Sequence, residues 1–171
     1  MVEYSKIRRM TSTPPIPPER DLVILLTALH AGATTAVTRR MDDAGFADLR
    51  PAHGYVFQHL VEGPARVTEL ARKLGMTAQG ASKSVIELEQ MGYVVRQSDP
   101  GDQRYRPVAL TQRGWEAIEA ARAARAVVNA ELFAAAGPSA GEGLLALFQL
   151  LAERTGDLRE LLARRLRPEH Y

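Results

Sequence analysis

The chain has 171 residues, 46% of them hydrophobic and 25% charged, with a formal net charge of +2. That length suits one ordinary domain, or one domain with a dimerisation appendage, and the composition argues against wholesale disorder. Cysteine is absent, which excludes disulfides, thiolate metal sites, cysteine nucleophiles and thiol redox sensing, and an aromatic content of 6% poorly supplies a stacking platform for single strands.

Residues 1–18 hold Lys6, Arg8, Arg9 and the prolines Pro14, Pro15, Pro17 and Pro18, and read as a flexible N-terminal arm. The apolar run 22–29, with basic residues before it and Ala31-Gly32-Ala33 after it, loosely imitates a secretion signal. Glu19 and Asp21 sit directly before the run, and its apolar period continues through Ala36, Val37 and Met41. His30, Thr34 and Thr35 interrupt it short of the roughly 20 apolar residues of a membrane span. The expectation is a cytoplasmic protein with no membrane segment.

Helix signals dominate the rest. Over 19–44, Leu22, Leu25, Leu26, Leu29, Ala33, Val37 and Met41 recur in steps of three and four, which predicts a helix with one buried face, stopped at Gly45. Pro51 suits the first turn of a short helix through 61, ended by Gly63-Pro64. Thr68 is placed to cap a third helix over 69–74 that Gly75 ends, and Thr77 a fourth from 78 to about 91, closed by Gly92. From Tyr93 the pattern turns β-prone. Val94, Val95 and Arg96, then Arg106 to Leu110, flank Asp99-Pro100-Gly101-Asp102, a type II turn sequence, and predict a hairpin. Thr111 caps a long alanine-rich helix over about 112–136, broken by Gly137-Pro138. Ser139 with Glu142 reads as a capping box opening a leucine-rich last helix that Pro168 ends. The first and last helices carry more apolar surface than so small a middle can cover, and a second copy of the chain is the economical cover.

Residues 67–92 thus read as helix, tight turn and helix, with Gly75-Met76-Thr77 as the turn. On the second helix Ala81, Val85 and Leu88 share a core face, and Gln79, Lys83 and Gln90 lie roughly opposite, flanked by Gly80 and Ser82. Such a small, polar surface suits the major groove of DNA. Gln79 can pair with adenine, Lys83 can reach guanine or a phosphate, and Ser82 and Thr77 can bind phosphate. A solvated helix face would be polar in the same way. The hairpin shifts the balance: it brings Arg96, Arg104, Arg106 and Arg113 against Asp99 and Asp102, directly after a recognition-type helix, as a wing. An arginine at a wing tip can enter a narrow minor groove, although an ordinary exposed hairpin also uses arginine for solubility. Only Lys6, Lys73 and Lys83 among the 22 basic residues are lysines, so most positive charge has the forked arginine geometry that suits phosphates and guanine edges.

Four strings then carry a resemblance: Glu69-Leu70-Ala71-Arg72-Lys73-Leu74-Gly75-Met76-Thr77; Leu88-Glu89-Gln90-Met91-Gly92-Tyr93-Val94; Asp99-Pro100-Gly101-Asp102-Gln103-Arg104; and Leu110-Thr111-Gln112-Arg113-Gly114. The chain resembles the multiple-antibiotic-resistance regulator (MarR) family of bacterial transcription factors over about 20–165. The wing string followed by Leu-Thr-x-x-Gly is its specific part. The resemblance implies a mainly α fold with a small β-hairpin wing: a winged helix-turn-helix lobe over 51–111, flanked by helical dimerisation regions over 19–50 and 112–171. It implies a homodimer that binds an inverted repeat in double-stranded DNA. Gln79, Ser82 and Lys83 fall on the DNA-facing side, Arg104 at the wing tip, and Asp102 at the acid that orients the wing loop. Thr77, Gly80, Arg96 and Arg106 complete the expected DNA surface. Gly80 departs from the pattern by costing about 1 kcal/mol of helix propensity, and Pro107 by removing a ladder donor.

The resemblance also implies a small aromatic or anionic effector, for which His30, Tyr55 and His59 are the polar-aromatic candidates; surface or core histidines are the plainer reading. His53 and His59 are six apart, not the three or four that pair metal ligands on a helix, so no metal or cofactor is expected. Asp42 and Asp43 are adjacent and do not converge, no phosphate loop or nucleophile triad appears, and an enzyme is the weakest reading. Trp115 is expected to pack where lobe and helix meet. The expected function is a repressor released by an effector. The rivals are an effector-independent activator or architectural DNA binder, and a helical protein-interaction module.

Overall fold

The computed structural model describes residues 16–97 and 106–155. The chain divides into two units, one up to Ala36 and one from Val37 onward, with the division inside the first long helix. The described part of the first unit begins with a 3-10 turn, Pro18–Arg20, followed by α1, Leu22–Asp43. Asp21 caps α1, its Oδ1 accepting from the backbone N–H of Val23 at 2.9 Å and of Ile24 at 3.3 Å. Thr27 and Thr35 return their hydroxyls to the carbonyls of Val23 and Ala31, so their polarity is absorbed by the helix itself. No residue of α1 is buried, and Val23 is 74% exposed. By length and composition alone α1 would suffice to cross a membrane; the core helix of a soluble assembly passes the same test.

The second unit contains α2 (His53–Leu60), α3 (Val67–Leu74), α4 (Ala78–Gln90), β1 (Val94–Arg96), β2 (Val108–Leu110), α5 (Gln112–Ala136) and α6 (Pro138–Thr155). Its core gathers Leu60, Leu70, Leu74, Val85, Leu88, Tyr93 and Val108, all almost fully buried. The strands are antiparallel, pairing Val94 with Leu110, Val95 with Ala109 and Arg96 with Val108. On its other side β2 is bridged by Ala65, which exchanges two backbone hydrogen bonds with Val108 at 2.8 and 3.0 Å. The hairpin is thus sutured to the start of the helix-turn-helix. Pro107 fits because it precedes the ladder, and its carbonyl accepts from Gln97 at 2.8 Å.

The structure moves three predicted boundaries. α2 starts at His53, after a turn over 51–52, because His53 Nδ1 accepts the Arg50 backbone N–H at 3.1 Å and closes the entry. α3 starts at Val67, so Thr68 lies in its first turn and caps nothing; the Ala65 bridge fixes the chain in an extended state and Arg66 becomes the N-cap. α6 starts at Pro138, a favourable first-turn position, so Ser139 lies past the cap. The glycine stops are where expected: Gly45, Gly75, Gly92 and Gly137 all have φ between 70° and 89°.

Candidate nucleic-acid interface

α4 owes its start to Thr77, whose Oγ1 accepts the Gly80 N–H at 3.1 Å. Accepting leaves the Thr77 hydroxyl proton free to donate outward. A Cβ on Gly80 would lie 3.3 Å from both Thr77 Oγ1 and Met76 Cε, so the glycine that costs helix propensity also leaves the cap uncrowded. Ala81, Val85 and Leu88 are buried on one side of α4, as their spacing predicts. On the other side Thr77, Gln79, Gly80, Ser82, Lys83 and Ile86 line one open depression of about 590 Å³. Five of these six were expected at a DNA surface from the sequence. Ile86 lies outside that expectation, because an aliphatic side chain offers no hydrogen bond to a base edge; its seven-residue spacing from Gln79 is the signal that puts it on the same face.

The hairpin places its basic residues unequally. Arg96 turns back onto α4: its Nε lies 3.2 Å from Glu89 Oε2, and its backbone N–H donates to Glu89 Oε1 at 3.3 Å. Its charge is compensated within the lobe, and it ties β1 to the recognition-type helix. Arg106 is exposed just before β2. Asp102 and Arg104, with the type II turn sequence, lie outside the described residues.

Comparison with known proteins settles what kind of lobe this is. The MarR family model matches residues 47–104, and no curated protein matches the chain. The matched lobe belongs to the MarR family. The described residues also have the MarR winged-helix fold. The Thermotoga maritima transcriptional regulator Tm0710 is 26% identical, with a TM-score of 0.56 over 78% of this chain and 94% of its own. An S. aureus MepR variant bound to an oligodeoxyribonucleotide gives 0.61 at 18% identity, over 78% and 97%. The Mycobacterium tuberculosis MarR-family protein Rv2887, in complex with salicylic acid, gives 0.54 at 23% identity, over 82% and 98%.

In this MarR lobe the Leu-Thr-x-x-Gly string acts on packing. Thr111 Oγ1 accepts from the Gly114 N–H at 3.1 Å and donates to the Gly92 carbonyl at 2.7 Å, while the Thr111 N–H reaches the Tyr93 carbonyl at 3.0 Å. A Cβ on Gly114 would stand 2.3 Å from Tyr93 O, so only glycine lets α5 approach this closely. Arg113 Nη2 donates to the Tyr93 hydroxyl at 3.0 Å, and that hydroxyl donates to Asp48 Oδ1 at 2.5 Å. The guanidinium carbon lies 4.7 Å from the Tyr93 ring centroid and 5.7 Å from that of Phe46. Burial, reinforced by the Asp48 hydrogen bond, holds the Tyr93 hydroxyl above its usual range and keeps it protonated. Trp115, expected to pack at this junction, is instead 38% exposed, because Gly114 takes the inward position and the next residue turns out.

A second cluster braces α4 from α2. Glu87 pairs with Arg50, and His53 Nε2 lies 3.6 Å from Glu87 Oε2. Because Nδ1 accepts from Arg50, the imidazole proton sits on Nε2, toward Glu87. Burial, then the neighbouring Arg50 charge, holds the His53 pKa below its usual value. Of the effector candidates, Tyr55 and His59 are four apart on α2; Tyr55 is half-buried against the core and His59 is buried. His30 is exposed on α1, in the first unit. Among the described residues no three His, Asp or Glu side chains are grouped to hold a metal ion.

Proposed function

We propose that the protein is a homodimeric, sequence-specific regulator of transcription that binds double-stranded DNA through α4 and the wing. The observation that carries this reading is the exposed face of α4. Thr77, Gln79, Gly80, Ser82 and Lys83, with Ile86, line one concave surface, backed on the other side by the core. In the major groove, Gln79 pairs with the N6/N7 edge of an adenine and Lys83 with guanine acceptors or a phosphate, while Ser82 and the Thr77 hydroxyl donate to phosphates. Arg104 on the wing enters the adjacent minor groove, and Arg106 follows the backbone.

The lobe over 51–111 reads DNA, and the regions 19–50 and 112–171 dimerise. The large exposed side chains of α1 and of α6, where Leu144, Leu145, Leu147 and Leu150 are 38–53% exposed, support burial against a second copy. Two α4 helices related by a two-fold axis then read an inverted repeat whose half-sites are centred about 10–10.5 base pairs apart. The regulator acts in the cytoplasm as a repressor, and a small aromatic or anionic effector releases it; salicylic acid in the M. tuberculosis relative supports that class, and Tyr55 and His59 on α2 are its candidate contacts.

The test is enrichment of bound duplexes from a random pool, followed by affinity measurement across salt concentrations and a screen of aromatic carboxylates for release. The expected result is a palindromic site bound with a steep salt dependence. Failure to enrich any duplex would overturn the DNA-binding reading. Binding that is steep in salt but indifferent to sequence would favour an architectural role.

A further inference from the structure

Ile86 is the one aliphatic side chain in the depression on α4, and neither the core nor the polar DNA contacts account for it. It is 45% exposed, whereas its neighbour Val85 is 1% exposed and sits in the core. A β-branched residue on an exposed helix position gives the helix nothing locally, since its restricted χ1 lowers helix propensity. Isolated exposed aliphatics are common. What distinguishes Ile86 is its company: three residues after Lys83, four after Ser82 and seven after Gln79, it shares their face and lines the same depression. Two turns separate it from Gln79, about 10 Å along the axis with only about 20° of rotation between them.

We propose that Ile86 is a specificity-determining residue that reads the 5-methyl group of a thymine in the major groove. This rests on the DNA-binding reading above. The thymine methyl is the only apolar feature a base edge shows there, and aliphatic contact is how side chains discriminate it. With α4 lying along the groove, whose path per base pair is longer than the axial rise of about 3.4 Å, a 10 Å offset puts this thymine about two base pairs from the adenine read by Gln79. The polar N-terminal half of α4 then reads hydrogen-bonding edges, and its C-terminal half reads a methyl group.

The experiment replaces each thymine of the selected operator, one position at a time in both half-sites, by deoxyuridine, which removes only the 5-methyl. Affinity is measured at fixed salt for the wild type, Ile86→Val and Ile86→Ala, with helix content and Tm as folding controls. The wild type should lose affinity at one thymine position, about fourfold per half-site for one buried methyl. Ile86→Ala should bind the thymine and deoxyuridine operators alike, and Ile86→Val should keep part of the difference. Wild-type binding that ignores every substitution would overturn the assignment and leave DNA binding intact, as would an equal methyl dependence in Ile86→Ala. Absence of binding to any duplex would remove both readings together.

Discussion

Gly114→Ala offers a direct test of how α5 is joined to the lobe. The new Cβ would stand 2.3 Å from the Tyr93 carbonyl oxygen and 3.0 Å from Leu110 Cδ2. Reaching even 3.0 Å from that oxygen requires a shift of about 0.7 Å. The obstacle is backbone, so no rotamer change relieves it. Moving the first turn of α5 away stretches the Thr111 N–H bond to the same carbonyl and the Thr111 hydroxyl bond to Gly92. Overpacking costs about 1–3 kcal/mol, and a weakened hydrogen bond about 1 kcal/mol. Alanine returns about 1 kcal/mol of helix propensity. The net expectation is a loss of about 2 kcal/mol, or roughly 4–8 °C in Tm for a chain of this size. Gly54→Ala is the control, because its Cβ would meet nothing within 4 Å at a helical position; it should be neutral or slightly stabilising. Both variants should be unfolded thermally and in urea, followed by circular dichroism, at equal protomer concentration so that association does not bias the comparison. A Gly114→Ala protein as stable as Gly54→Ala would refute the close approach as the reason for this glycine.

Three further outcomes are expected. Gln79→Ala should cost about 1–3 kcal/mol at one base position of each half-site with the salt slope nearly unchanged, whereas Arg104→Ala should weaken binding across sequences and flatten that slope; a panel of single-base operator variants at several salt concentrations separates the two. Leu147→Asp should weaken both dimer and fold, seen by sedimentation at micromolar concentration, and a wild type that sediments as a stable monomer would contradict the dimer. Burial and Arg50 hold the His53 pKa below the ordinary 6.5, so the unfolded chain takes up this proton first as pH falls; its contribution to stability is full above about pH 6.5 and declines below it, despite the opposing pull of Glu87 and Asp48. Unfolding free energies between pH 5 and 7.5 should therefore slope less for His53→Gln than for the wild type.

Local punctuation was the most legible part of this sequence. Thr77 and Thr111 cap the helices they precede, and Gly45, Gly75 and Gly92 take the left-handed conformation their positions announce, because capping and positive φ depend on one or two residues. The two paired strands were legible from their β-prone runs on either side of the turn sequence. The displaced starts of α2 and α3 were not, since they are set by His53 folding back onto Arg50 and by the Ala65–Val108 bridge, a contact across 43 positions with no local pattern. The polar half of the candidate DNA surface was readable from helical spacing. Ile86 was hidden by its side-chain chemistry, and the Glu89–Arg96 pair by spanning the turn between helix and strand. The apolar period of α1 marks a face for burial, but periodicity reveals the face and not what covers it.

The bond from Glu89 to Arg96 has a consequence for evolution of the binding site. Because β1 is fastened to α4 on one side, and β2 to Ala65 on the other, the two strands and the helix are braced together. Under the proposed DNA-binding reading, the separation between a base pair met by α4 and the DNA met beside the strands is then set by this bracing. Operators of the proposed dimer that drift under selection can exchange bases within each half or alter the gap between halves, to which two lobes can adapt by opening or closing. Insertion of a base pair inside a half-site has no such remedy, because the helix and the strands braced to it move together. Families of natural sites for this regulator should accordingly vary in their centres and hold their internal spacing constant.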